Sequence, residues 1–124
     1  MKKLILALFA TVLVSGTAKA SEDYWTQVVS YTTTEDSPAY RDILVHNPGT
    51  YSEMRVQMSG AGYIDRIDTI SLFLWGKEVD GLDGHYEAGE MKAVYFGSRQ
   101  VRWIRLYARS APPGMPVNVK IWMR

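Results

Sequence analysis

The segment from Val101 to Ser110 holds the residues best suited to chemistry at a protein surface. It reads V-R-W-I-R-L-Y-A-R-S, and from Trp103 onward aliphatic side chains alternate with aromatic or basic ones. Successive side chains of a strand point to opposite faces, and arginines are rarely buried without partners. The alternation therefore predicts a solvent-facing set, which we call the arginine face: Trp103, Arg105, Tyr107 and Arg109.

Aromatic rings and guanidinium groups on one flat sheet would suit a ligand with ring faces and negative charge. Aromatic rings offer flat apolar faces, and arginine adds hydrogen bonds and cation–π contacts. The strands predicted at Ile67–Trp75 and Val117–Met123 divide their side chains in the same way. The predicted binding residues are Trp103, Arg105, Tyr107, Arg109, Trp122 and Trp75. An anionic glycan, peptidoglycan or a protein partner would match them. Alternatively, these rings pair only across strands beneath arginine stems, or the face forms a homodimer.

Val101 breaks the alternation of the arginine face. It shares parity with Trp103, so strict alternation would place this valine in solvent. Either Val101 lies before the regular strand, or a bulge between Val101 and Ile104 shifts the register. A bulge further along would reverse the predicted orientation of Trp103.

Oxygen ligands for a hard cation occur in the glycine-rich segment Gly76–Gly89. Asp80, Asp83 and Glu87 are the weak metal candidates, and calcium takes six to eight such ligands. Two residues separate Asp80 from Asp83, which departs from the EF-hand spacing. The other interpretation is a solvated hairpin loop whose Asp-Gly pairs form turns. We therefore predict no cofactor, with calcium as the alternative.

Catalytic patterns are missing from the sequence. No spacing pairs two carboxylates for glycoside hydrolysis, and no G-x-S-x-G nucleophile motif, phosphate loop or dinucleotide fingerprint is present. The two histidines, His46 and His85, lack zinc-ligand spacing. We predict a protein that is not an enzyme, and a small hydrolase using acidic loop residues is the third alternative.

The first twenty residues have the pattern of a signal peptide. Lys2 and Lys3 precede the apolar run Leu4–Val14, and Ala18-Lys19-Ala20 fits a cleavage site. Cleavage after Ala20 would leave a single domain at 21–124, periplasmic or secreted, with no membrane span. Three of the fourteen basic residues lie before this point, so eleven remain against thirteen acidic ones, a net charge of −2. This balance argues against nucleic acid as a partner. The chain has no cysteine and hence no disulfide.

Short alternating segments with frequent turn signals predict an all-β, single-domain antiparallel β-sandwich of about seven strands, jelly-roll or Ig-like. Asn47-Pro48-Gly49-Thr50 is a strong turn signal. The segment Gly76–Gly89 is predicted as a loop, with a short edge strand near Val79 or around His85 and Tyr86. The predicted strands are Tyr24–Tyr31, Tyr40–His46, Glu53–Ser59, Ile67–Trp75, Lys92–Phe96, Trp103–Ser110 and Val117–Met123. The predicted core includes Met54, Val56, Met58, Ile70, Leu72, Leu74, Val117, Val119, Ile121 and Met123.

Several short patterns resemble small exported bacterial β-sandwich domains of unknown function. These are the arginine-rich run Gly97–Ser110, Arg55-Val56-Gln57-Met58-Ser59-Gly60, Ile67–Leu74 followed by Gly76, and Ala88-Gly89-Glu90. The resemblance spans Arg55–Arg124, and the acidic segment Gly76–Gly89 departs from it. It implies a compact sandwich behind a signal peptide and supplies no activity.

These observations predict a non-catalytic extracytoplasmic binding module acting through the arginine face. A structural or homo-oligomerising envelope protein using the same face is the alternative.

Overall fold

A computed structural model describes residues 25–34 and 40–124. The predicted signal peptide at 1–20 and the predicted strand break at 35–38 lie outside the described residues. Among the residues that are described, no helix is long and apolar enough to cross a membrane. The strands are β1 (Thr26–Thr33), β2 (Tyr40–Met58), β3 (Gly62–Ile70), β4 (Gly76–Glu78), β5 (Gly84–Tyr86), β6 (Met91–Ser110) and β7 (Val117–Met123).

Two long strands, β2 and β6, organise the antiparallel sandwich. The strand order is β1-β7-β2-β6-β3-β4, and β5 pairs with β3. Residues 40–44 of β2 pair with 103–107 of β6, whose other edge pairs with β3. Residues 53–57 of β2 pair with 91–95 of β6, and 54–58 pair with β7 on the opposite edge. The two ends of one strand pair therefore belong to different parts of the sandwich. The all-β sandwich predicted from the sequence is confirmed.

One hydrophobic core joins these parts. Met54, Val56 and Met58 of β2 are fully buried, as the alternation predicts, and so are Ile104 of β6 and Ile121 of β7. They pack in a single cluster with residues from β1 and β3. Since the chain has no cysteine, this burial and the strand hydrogen bonds must supply the stability.

The prediction of two separate strands within each of β2 and β6 is wrong. The segments predicted as separate strands at Tyr40–His46 and Glu53–Ser59 belong to one strand, and Lys92–Phe96 and Trp103–Ser110 belong to another. The Asn47–Thr50 turn signal marks a register shift between Leu44 and Gly49 instead of a chain reversal. Asn47 has a φ of 63°, and its carbonyl accepts a hydrogen bond from the Tyr51 hydroxyl. The turn-forming residues thus form a bulge within β2.

Two irregularities change which side of β6 faces inward. Phe96 packs against the core and Val101 is fully buried, although their parities differ. A register shift separates them, and Gly97 in this stretch has a φ of 84°. A second shift lies between Val101 and Trp103, within the stretch where a register shift is one of the two predicted alternatives, and the extra residues belong to β2. Arg99 shares the parity of Val101 and therefore lies on the inward side.

The strand predicted at Ile67–Trp75 is shorter than expected. β3 ends at Ile70, and residues 71–75 form an exposed turn. The Ser71 hydroxyl accepts hydrogen bonds from the backbone N–H groups of Phe73 and Trp75, both at 3.2 Å. Such local bonds compete with a strand ladder. The core assignment of Leu72 and Leu74 is wrong, because these side chains are 47% and 72% exposed.

The segment Gly76–Gly89 contributes more to the core than its glycines and acids indicate. The edge strand expected around His85 and Tyr86 is present as β5, and β4 is a second short edge strand. Leu82 and Tyr86 are fully buried, and the Tyr86 hydroxyl donates to the Leu82 carbonyl at 2.6 Å. Asp80 and Asp83 therefore lie on a loop anchored by apolar side chains.

Two leucine variants test this reversal of core and surface. Leu82→Ala should lower the free energy of unfolding by about 2–5 kcal/mol, because it leaves a cavity in a packed site. Leu74→Ala, on the exposed turn, should change it by less than about 0.5 kcal/mol. Urea denaturation of both variants measures the difference. Equal destabilisation would contradict the placement of the two side chains.

Candidate functional site

The four residues of the arginine face lie together on the outer side of β6. All four are partly buried, and they alternate with the buried Ile104, Leu106 and Ala108. The register sets their neighbours in rows across β2, β6 and β3. These rows are Leu44–Trp103–Ile70, Asp42–Arg105–Asp68 and Tyr40–Tyr107–Arg66, with Tyr63 beside Arg109.

Both arginines of the arginine face form ion pairs with aspartates. Arg105 donates from Nε and Nη2 to the two carboxylate oxygens of Asp42, at 2.7 and 2.9 Å. Arg109 makes the equivalent paired contact with Asp65, at 2.9 and 3.2 Å. The hydrogen bond from Arg105 lowers the pKa of Asp42 below its ordinary value, opposed by desolvation. Both guanidinium groups thus have their fork of donors occupied.

The same arginines cover aromatic rings. The Arg105 guanidinium lies 4.5 Å from the ring centroid of Tyr40, and that of Arg109 lies 4.3 Å from Tyr63. Tyr40 and Tyr107 are also in contact, with ring centroids 5.4 Å apart. Arginine stems over cross-strand aromatic pairs are the arrangement of the purely structural alternative.

The other two predicted binding residues lie elsewhere. Trp122 is on β7, where the Arg55 guanidinium sits 4.7 Å from the rings of both Trp122 and Trp25. Trp75 is in the turn after β3 and is 79% exposed. The structure therefore brings four of the six predicted residues onto one face, with Trp122 on a different part of the sandwich.

The turn at residues 71–75, which we call the aromatic turn, presents apolar side chains to solvent. Phe73 and Trp75 are 77% and 79% exposed. The backbone is held by Ser71 and by a hydrogen bond from the Leu72 N–H to Gln100 Oε1, at 2.8 Å. Because hydrogen bonds hold the backbone of the turn, it has little backbone entropy to lose on binding, and the exposed apolar rings favour a role in recognition.

The aromatic turn borders a cavity of about 710 Å³, which we call the cleft. Its walls are the end of β3, the start of β4 and the irregular stretch of β6 between Phe96 and Val101, which we call the bend of β6. None of its lining residues is an aspartate, glutamate or histidine. The lining residues are Thr69, Ser71, Phe73, Trp75, Gly76, Lys77, Phe96, Gly97, Ser98, Arg99 and Gln100.

A smaller cavity of about 270 Å³ also borders the turn, through Leu74 and Gly76. Trp103 and Arg105 of the arginine face line it, together with Asp42 and Asp68. The aromatic turn thus lies next to both the cleft and the arginine face.

Arg99 is the cleft residue that the sequence analysis missed. Its Nη1 donates to Thr69 Oγ1 at 2.9 Å and to the Lys77 carbonyl at 3.3 Å. Its Nη2 donates to the Phe96 carbonyl at 3.0 Å. Burial lowers the pKa of this guanidinium from its ordinary value, and Asp80 opposes the shift. The available signal was Gly97 between two predicted strands, because a positive-φ glycine often marks a bulge that redirects the next side chains.

The calcium candidates do not belong to a cluster of carboxylate or histidine side chains in the part of the chain that the structure describes. Within residues 25–34 and 40–124, no three His, Asp or Glu side chains come close enough to hold a metal ion. Asp83 lies near buried Tyr86, where burial, then Glu90 and Asp83, raise the pKa of the tyrosine.

Comparison with known proteins identifies a related fold. The chain is similar to the CBM32 carbohydrate-binding module of AlyQ, solved in complex with 4,5-unsaturated mannuronic acid. The TM-score is 0.52 at 13% sequence identity, over 77% of this chain and 76% of that chain. At this identity the likeness establishes a shared β-sandwich fold. No family model matches the chain, and no curated protein matches its sequence.

The Asp42–Arg105 pair predicts a pH-dependent difference in stability. Because Arg105 lowers the pKa of folded Asp42, the carboxylate stabilises the protein above its unfolded pKa of about 3.9 and loses this effect as the pH falls through the lowered value. Asp42→Asn should therefore be less stable than the parent at neutral pH, with a gap that narrows below about pH 4. Urea midpoints across pH measure it.

Glu87→Gln is the control, because no ion pair of Glu87 occurs among the described residues. A gap of the same size for Asp42→Asn at neutral and acid pH would contradict the contribution of the carboxylate charge.

Proposed function

We propose that this protein is a non-catalytic binding module that recognises a glycan outside the cytoplasm. The proposal includes export by the signal peptide, cleavage after Ala20, and the resemblance to small exported bacterial β-sandwich domains. Support for the glycan class comes from the exposed aromatic pair beside the cleft. The shared fold with a carbohydrate-binding module agrees with it.

The observation that carries the proposal is the exposure of Phe73 and Trp75 on a hydrogen-bonded turn. Burying either ring against a sugar would remove apolar surface from water, at little cost in backbone entropy. A bare turn that served only to connect β3 and β4 would have no need of two large exposed rings. The ring faces, the adjacent cleft and the polar groups of Ser98 and Gln100 suit a saccharide with apolar faces and hydroxyl edges.

We place the centre of the binding surface at the aromatic turn and extend it to Trp103 of the arginine face. The first reason is that Arg105 and Arg109 have their donor forks filled by Asp42 and Asp65. A ligand anion there would meet guanidinium groups whose charge these carboxylates already balance. The second reason is that Trp103 lines the smaller cavity against the turn residue Leu74, which makes one continuous surface.

The chemistry of the cleft supports a binding role without catalysis. Glycoside hydrolysis requires two carboxyl groups flanking the scissile bond. The residues that line the cleft supply neither a carboxylate nor a histidine. Asp42 and Asp68 line the smaller cavity, but Asp42 is held in the ion pair with Arg105 and Asp68 in one with Arg66 at 2.8 Å.

A homo-oligomerising role is the second candidate, and the same turn favours it. Leu72 to Trp75 are four consecutive exposed apolar residues. A patch of this kind also occurs where two copies of a protein associate.

Binding to a panel of soluble neutral and acidic oligosaccharides tests the proposal. Isothermal titration of the purified protein should detect at least one binder. Trp75→Ala should weaken that binding about tenfold or more, as truncation of an aromatic anchor does. Trp103→Ala should weaken it less, because its ring is partly buried at the edge of the surface.

Met115→Ala is the control, since Met115 is an exposed apolar residue in the β6–β7 connection, outside the cleft. It should bind as the parent does. Light scattering on the same samples separates the two candidates. A concentration-dependent dimer that Trp75→Ala abolishes, without saccharide binding by the parent, would overturn the glycan proposal in favour of self-association.

A further inference from the structure

Arg99 differs from Arg66, Arg105 and Arg109 in what faces its charge. Arg66, Arg105 and Arg109 each contact an aspartate at 2.7 to 2.9 Å. Arg99 has no carboxylate within ion-pair distance among the described residues, and its three hydrogen bonds go to neutral oxygens. Neutral acceptors orient a guanidinium without neutralising it. Asp80 acts on the Arg99 charge only from beyond ion-pair distance, across a neighbouring cavity of about 380 Å³ that Asp80 and Arg99 both line.

The geometry around Arg99 leaves part of its donor fork available. An arginine side chain has five N–H donors. Both donors of Nη1 and one of Nη2 are used. Nε and one hydrogen of Nη2 therefore have no acceptor among the described residues. Two neighbouring donors on a planar guanidinium match the two oxygens of a carboxylate.

The position of Arg99 is fixed from three directions. Thr69 at the end of β3 is almost fully buried, the Lys77 carbonyl belongs to β4, and the Phe96 carbonyl belongs to the bend of β6. The guanidinium also lies 4.7 Å from the centroid of the Phe96 ring. A charged group held in this way loses little entropy when it binds an anion.

The remaining lining of the cleft reinforces a preference for negative charge. Lys77 adds a second cation, and its ammonium group has no partner among the described residues. Among the described residues, no acidic side chain lines the cleft. The smaller cavity beside the arginine face, by contrast, contains Asp42 and Asp68. Of the two cavities that border the aromatic turn, only the cleft combines positive charge and exposed aromatic rings without a carboxylate among its described lining residues.

We propose that Arg99 binds the carboxylate of an acidic sugar, a uronate, whose ring packs at the aromatic turn. This inference rests on the proposed glycan-binding function and names the substrate class of the same site. Arg99 acts as the charge-recognising group, Lys77 strengthens the local positive potential, and Trp75 supplies the apolar contact. A neutral sugar of the same shape would keep the ring contact and leave the two arginine donors without an anion.

A matched pair of ligands isolates the carboxylate. Oligogalacturonate and its carboxyl-reduced counterpart, which carries CH₂OH in place of each carboxylate, are titrated against the protein at low and high sodium chloride. The uronate should bind about tenfold or more tightly than the reduced ligand, as hydrogen bonds to a charged group allow. That advantage should shrink at high salt, while binding of the reduced ligand stays constant.

Variants assign the preference to Arg99. Arg99→Gln should lose the preference for the uronate and keep the affinity for the reduced ligand. Lys120→Gln, which removes an exposed cation from β7 outside the cleft, should retain the full preference. Because Arg99 also ties β3, β4 and β6 together, thermal melting checks that its variant is folded. Lys77→Gln disturbs none of these bonds and should reduce the uronate preference by a smaller factor.

The outcomes separate this inference from the proposed function. Equal affinity for both ligands would overturn the assignment of Arg99 while leaving a glycan-binding module. Binding of neither ligand, nor of any saccharide in the panel, would overturn both. A third titration uses a sulfated galactan oligosaccharide. Tight binding of the sulfated ligand without binding of the uronate would overturn the carboxylate assignment in favour of a sulfate site.

Discussion

The pairing of β2 with β6 is the interaction on which the arrangement of this protein depends. The two strands run beside each other along nearly their whole length, but their register is interrupted between Leu44 and Gly49 and again between Tyr51 and Glu53. Each interruption changes the side of β6 that faces the core. Val101 is inward between the two interruptions, and Ile104 is inward after them. A β-bulge of this kind costs few hydrogen bonds and redirects every following side chain.

The bend between Phe96 and Val101 places chemistry at one end of the sandwich. It turns Arg99 inward at the point where β3 ends and β4 begins, so that the guanidinium meets Thr69 and the Lys77 carbonyl. The aromatic turn begins at the same point. There the Ser71 hydroxyl accepts hydrogen bonds from the backbone of the turn, and these compete with continued strand pairing. Arg99 and the exposed rings of Phe73 and Trp75 therefore lie near each other because β6 bulges where β3 ends.

Sequence alternation predicted what depends on regular strands and failed where a turn-forming residue lies inside a strand. The arginine face, the inward Met54, Val56 and Met58, and the bulge before Ile104 all follow from period-two patterning. Asn47, Pro48 and Gly49 have the composition of a chain reversal, yet they form a bulge, because β2 gains more pairing by continuing along β6. Leu72 and Leu74 fit the alternation of β3, but the hydroxyl of Ser71 ends the strand before them. The inward orientation of Arg99 depends on the register shift near Gly97. The sequence does not give this shift, because it arises from the pairing of β6 with β2.

We propose that the cleft holds the ligand, with Trp103 at its edge, and that Arg105 and Arg109 of the arginine face do not bind it. Nitrogen-15 NMR of the protein during titration with oligogalacturonate tests it directly, because tryptophan indole and arginine Nε resonances report on individual side chains. We predict that the Trp75 indole and Arg99 Nε signals shift together with ligand concentration, while the Arg105 and Arg109 Nε signals, held by Asp42 and Asp65, move little. Shifts confined to Trp103, Arg105 and Arg109, with Trp75 and Arg99 unchanged, would contradict the account.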